Sequence, residues 1–246
     1  MHAKDIIREA VARIEQLRAT AANTPQLAQA VSDIKAFQAR RFTGTYFDLL
    51  QTKQYKPATL FFLEELYSEK DYSERDAQFS RIAGTLERLF PKQVVQTAVA
   101  LAQLHSLTEE LDLAMAQSWL DSAEKNDIKR YITAWRSVGR RQDRTAQLNG
   151  ALSVGQELVV LTRTPGLRMA LKMMRRPANL AGMGALQHFL ESGFDTFAGM
   201  GNQPDGTDFF LNTVQQRESA LIDAMFDASA AECEAEMVQV FGKKFK

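Results

Sequence analysis

Apolar side chains recur at intervals of three and four along nearly the whole chain, and nowhere do they alternate in the rhythm of a half-buried strand. Residues i, i+3, i+4 and i+7 share one face of an α-helix, so a chain patterned this way closes a core by stacking helices. The expected fold class is therefore all-α: a single compact, bundle-like domain of about eight or nine helices over residues 1–246, with 227–246 the most loosely ordered part. Hydrophobic residues make up 45% of 246, enough for a core without covalent staples, and a single cysteine, Cys233, leaves no disulfide within the chain.

Local signals place the helices. Ile6, Ile7, Ala10, Val11, Ile14 and Leu17 form one stripe over residues 3–20. Thr24-Pro25 supplies an N-cap and a proline at the first helical position, opening a helix toward Leu50 that Gly44 can interrupt. Lys56-Pro57 repeats the proline start. Ser73, with Asp76 three residues on in a weaker relative of the capping box, opens a helix that Pro91 stops. The clearest periodicity, Leu101, Leu104, Thr108, Leu111, Met115 and Trp119, predicts a central helix over residues 92–120. Beyond a helix starting near Ile128, the residues Gly150, Gly155, Pro165-Gly166 and Pro177 are expected to cut the chain into shorter helices. Longer ones follow over 178–198 and 208–226, and no internal repeat is present.

Charge is balanced overall, 30 basic against 30 acidic residues, but unevenly placed. From Lys129 to Arg176 there are eleven basic residues and two acidic ones; from Asp205 to Glu236 there are eight acidic residues and one basic. Either the acidic segment packs near the basic one and neutralises it, or the basic segment meets an anionic partner. No apolar run approaches the roughly 20 residues a membrane span needs. The start Met1-His2-Ala3-Lys4-Asp5 does not resemble a secretory leader, so a cytoplasmic protein is expected.

The stretch Phe61-Phe62-Leu63-Glu64-Glu65-Leu66-Tyr67 sets two carboxylates into an apolar heptapeptide. Wound as a helix, Phe62, Leu66, Leu63, Tyr67 and Leu60 cover an arc of about 100° to 260°, with Glu65 at about 40° and Glu64 at about 300°. The glutamates thus flank Phe61, which is expected to be exposed or to dock into a neighbour. This run, continued by Ser68-Glu69-Lys70-Asp71-Tyr72-Ser73-Glu74-Arg75-Asp76-Ala77-Gln78 and by Leu190-Glu191-Ser192-Gly193-Phe194-Asp195-Thr196-Phe197, resembles the uncharacterised bacterial FFLEELY-motif proteins. The resemblance spans most of the chain and implies no activity.

Two candidate chemistries emerge. Glu64, Glu65, His105, Glu109 and Asp112 sketch a carboxylate–histidine metal site of the helical-bundle kind, because His105, Glu109 and Asp112 share a helix face. Against it, the Glu-x-x-His order of such bundles is missing: Ala102 and Ala185 stand three residues before His105 and His188. Cys233 lies among Glu232, Glu234 and Glu236, which suppress a thiolate, and no Gly-x-Ser-x-Gly elbow or glycine-rich phosphate loop is present. No cofactor is expected.

The second candidate is a basic surface. In the segment Leu167 to Pro177, the residues Leu167, Ala170, Leu171 and Met174 form the apolar side, and Arg168, Lys172 and Arg175 the other. Basic amphipathic helices of this kind bind phosphates and other anionic ligands, acidic protein surfaces or anionic membrane surfaces. No nucleic-acid-reading module accompanies it. The leading expectation is a binding or regulatory protein acting through Arg163, Arg168, Lys172, Arg175, Arg176 and Phe61; the alternative is the metalloprotein or small-molecule enzyme above.

Overall fold

The computed structural model describes residues 1–65, 70–201 and 206–243, and among these all regular structure is helical. Twelve helices form rather than eight or nine: α1 (Ala3–Ala22), α2 (Pro25–Thr45), α3 (Phe47–Leu50), α4 (Lys56–Glu65), α5 (Ser73–Leu89), α6 (Lys92–Asp121), α7 (Asp127–Val138), α8 (Arg141–Thr162), α9 (Leu167–Leu180), α10 (Gly184–Gly201), α11 (Gly206–Asp227) and α12 (Ala230–Phe241). The surplus comes from short pieces. The single turn α3 is too brief to show a period, and α12 lies beyond the last helix read from the sequence.

Caps explain several boundaries. Thr24 accepts a hydrogen bond from the Leu27 amide at 3.2 Å, as the Thr-Pro signal requires. Ser229 and Glu232 form a complete capping box at the start of α12, a Ser-x-x-Glu signal legible in the sequence. Ser73 does not cap α5; its own amide and hydroxyl are instead held by Asp71.

Two expected breaks are absent. α8 runs through Gly150 and Gly155, where a side chain is missing because a neighbour comes close: a Cβ at Gly155 would lie 2.7 Å from Leu211 Cδ2. α9 runs through Pro177, which removes the donor for the Met173 carbonyl; Met173 is exposed, so water can satisfy that carbonyl.

The 30-residue α6 is the organising element, packing against α1, α2, α5, α7 and α8. One large core joins Ile34, Phe37, Met115, Trp119, Phe197 and Phe210 with their neighbours, and a smaller one under α1 holds Ile7, Ala10, Ala83 and Ala102. α12 closes against α2 and α7, burying Cys233 and Met237, with Phe241 edge-on to Phe37 at 4.8 Å. α9 stands apart, lying on α10 with little else beneath it.

Candidate functional site

The FFLEELY segment is a joint between helices. Phe61 and Phe62 are buried on α4; Phe61 stacks on Phe189 of α10 at 5.7 Å, and Phe62 meets Phe210 edge-on at 5.4 Å. Phe61 approaches Gly193 so closely that a Cβ there would lie 3.0 Å from its Cζ. Phe61 is thus 7% exposed and docks inward, which removes it from the expected binding surface.

A helix end leaves its last carbonyls without helical donors, and the residues after the motif supply them. The Tyr72 hydroxyl donates to the Glu64 carbonyl at 2.6 Å, and Arg75 Nη1 to the Glu65 carbonyl at 3.4 Å. The Arg75 guanidinium lies over the rings of Tyr72 at 4.1 Å and Phe189 at 4.7 Å. Glu65 takes a second contact from Arg75 at 3.3 Å, while exposed Glu64 faces Lys70 at 3.6 Å. Leu66 and Tyr67 lie outside the described residues.

His105 sits in an ionic network of which helix spacing singles out Glu109 alone. Its Nε2 is 3.1 Å from Asp76 Oδ2, and Arg18 reaches Asp76 with Nη1 at 2.9 Å and Glu109 with Nη2 at 3.0 Å. Lys35 Nζ is 2.9 Å from the same Glu109 oxygen. Arg18 Nη2 also lies 3.3 Å from the same Nε2, so a donor and a carboxylate converge on one ring nitrogen. Burial works to raise the pKa of Asp76, but the hydrogen bond with His105 and the charges of Arg18 and Arg75 outweigh it and hold the carboxyl below its ordinary range. Glu109 behaves alike: burial opposes ionisation, Lys35 and Arg18 prevail, and its pKa falls.

One helical turn on, Asp112 points the other way. It is fully enclosed, receives Gln38 Nε2 at 3.0 Å, and burial raises its pKa. Nearby, burial pushes the Tyr131 phenol up to about 12. A third interior group joins the two ends of the chain: Glu218 Oε1 accepts from Arg41 Nη1 at 2.5 Å and from the Tyr46 hydroxyl at 2.9 Å.

His105 and Glu109 are therefore linked through Arg18 Nη2, whereas Glu64 and Glu65 end at the α4 joint and Asp112 pairs with Gln38. Among the described residues, no three His, Cys, Asp or Glu side chains are grouped to hold a metal ion. A small cleft adjoins His105, bounded by α1, α5, α6, α8 and α10, with a volume of about 50 Å³.

The basic segments divide in two. Arg141 pairs with Asp223 at 2.6 Å and Asp227 at 2.7 Å, and Lys129 lies 3.7 Å from Glu234, so the acidic C-terminal helices do neutralise the first basic stretch. On α9, Arg168 meets Asp195 at 2.9 Å, and Arg175 Nε contacts both Glu191 oxygens at 3.1 Å. These two arginines fasten α9 to α10. Arg163, Lys172 and Arg176 are exposed and have no ion-pair partner among the described residues. Beside them are Met169, Met173 and Leu180, at 64%, 71% and 88% exposure. At 100° per residue, Arg176, Met169, Leu180 and Met173 occupy one outward stripe of about 180° to 240°, with Lys172 at its edge near 140°.

Fold and site together define an all-helical protein with ion pairs knitted through its interior and a basic, apolar-faced helix at its rim. The chain belongs to a family described as a domain of unknown function, DUF8198, whose profile matches residues 17–232. The match takes in the His105 network, the α4 joint and α9. No curated protein and no solved structure matches the chain. No helix among the described residues is long and apolar enough to cross a membrane.

Proposed function

We propose that this is a cytoplasmic binding or regulatory protein of the FFLEELY-motif type, whose α9 docks an acidic, amphipathic segment of a partner protein. The observation that carries the reading is the outward stripe of Met169, Met173 and Leu180 beside Lys172 and Arg176. Unbranched methionines repack around varied apolar side chains, and the neighbouring cations favour acidic residues flanking them. A membrane surface is less well supported, because interfacial helices use Trp, Phe and Leu and this stripe has one leucine. The FFLEELY joint contributes by fixing α10, the platform on which α9 rests.

The test titrates the whole protein with synthetic acidic amphipathic peptides and, separately, with vesicles containing anionic lipid. Peptide binding is expected at low ionic strength, weakening as salt rises, and lost in Lys172→Glu/Arg176→Glu with helical content unchanged. Arg168 and Arg175 are the wrong residues to reverse, since each is engaged with α10 and its loss would disturb how α9 sits. Binding to vesicles but not peptides, or peptide binding indifferent to the double variant, would overturn the reading.

A further inference from the structure

Independently of α9, we propose that the cleft beside His105 binds a short-chain aliphatic monocarboxylate of propionate size, taken up together with a proton. The size follows from the volume. A water needs about 10–15 Å³ of such space, so a cleft of about 50 Å³ holds roughly three to five non-hydrogen atoms. Val11, Ile14, Phe79, Leu101 and Leu186 give it apolar walls suited to a short alkyl group.

The head group follows from the polar lining. Arg75, Gln147 and His105 also border the cleft. Arg75 uses Nη1 on Glu65 and directs Nε toward Asp76 at 3.7 Å; its Nη2 makes no hydrogen bond among the described residues. Gln147 gives one amide hydrogen to Thr108 at 2.9 Å and keeps the second. Two N–H donors thus remain for an acceptor oxygen, and a guanidinium is the usual partner of a carboxylate.

The proton follows from charge balance. Arg18, Lys35 and Arg75 are matched by Glu65, Asp76 and Glu109 in one connected network. An entering carboxylate adds one negative charge that nothing offsets, and burying it uncompensated is costly. The His105 ring, whose Nδ1 has no hydrogen-bond partner among the described residues, is the place for a compensating proton drawn from solvent. The groups facing His105 are Arg18 from α1, Asp76 and the Tyr72 ring from the start of α5, and Glu109 from α6, with Lys35 of α2 acting through Glu109.

Calorimetric titration of the whole protein with sodium propionate tests this, run in two buffers of different ionisation enthalpy at a pH above the ordinary imidazole range. Saturable binding with about one proton taken up per propionate is expected. The His105 ring signals in NMR should move to the imidazolium position as propionate is added. Propan-1-ol should not compete. Ala151→Leu, which fills the cleft, should abolish binding, and His105→Gln should abolish the proton uptake. Absence of binding, equal binding of propan-1-ol, or binding with the His105 ring unchanged would each overturn the proposal, the NMR result needing no variant.

Discussion

Gly44 lies where α2 passes under α12, and the packing there is tight enough for a single methyl group to discriminate. A Cβ at position 44 would lie 2.2 Å from the Val240 carbonyl oxygen and 2.7 Å from Val240 Cγ1. The oxygen belongs to backbone, so no rotamer change relieves the overlap, and α12 has to retreat by roughly 1 Å. In Gly44→Ala, helix propensity contributes about 1 kcal/mol in favour. Overpacking costs about 1–3 kcal/mol, and lost burial of Met237 up to about 1.5–3 kcal/mol more. The net expectation is destabilisation by about 1.5–5 kcal/mol, a fall in melting temperature of about 3–20 °C for a chain of this size.

Cys233, 2% exposed on α12 and the only thiol in the chain, reports the same event locally. Each 1.4 kcal/mol lost from α12 docking should raise the rate of thiol labelling about tenfold, because labelling proceeds through local opening. Gly199→Ala is the control: its Cβ would meet no atom within 4 Å, so it should stabilise slightly and leave labelling alone. A Gly44→Ala protein that melts no lower than wild type and labels no faster would mean that α12 does not seat this tightly on α2.

Two further outcomes follow from the interior polar groups. Asp112 has a raised pKa, so the folded state holds its proton longer than the unfolded chain; the resulting stability is present at acid pH and is lost as pH rises through the folded value. Asp112→Asn should therefore be more stabilising at neutral pH than at pH 4 in denaturant titrations, with slopes differing by up to about 1.4 kcal/mol per pH unit inside that window. Asp76 and Glu109, with lowered pKa values, act in the opposite sense: their stability is present above the ordinary carboxylate range and is lost on acidification. Tyr72→Phe removes the donor to the Glu64 carbonyl and should cost about 1–3 kcal/mol in equilibrium unfolding, without change in overall helicity.

What the sequence shows and what it hides divide along physical lines. Periodicity is local, so the all-helical class, the Thr24-Pro25 start, the stop at Pro91 and the centrality of α6 are all legible from spacing. Glycine and proline mislead at Gly155 and Pro177 because their effect depends on surroundings: Gly155 answers a neighbour 56 residues away in sequence, Leu211, and Pro177 sits on an exposed helix. The His105 partners Arg18 and Asp76 come from helices 87 and 29 residues distant, which no i+4 rule connects. On α9 the segment is legible, but not the roles within it. Arg168 and Arg175 differ from Lys172 and Arg176 only because Asp195 and Glu191 happen to face them.

The seating of α12 on α2 has a consequence for synthesis. About 200 residues separate Gly44 from Val240, and at about 5–20 residues per second they take roughly 10–40 s to make. Even after Trp119 and Tyr131 have been made and can pack on Phe37, the edge of α2 that meets Phe241 waits for α12 to be translated. During that wait a chaperone has something to hold.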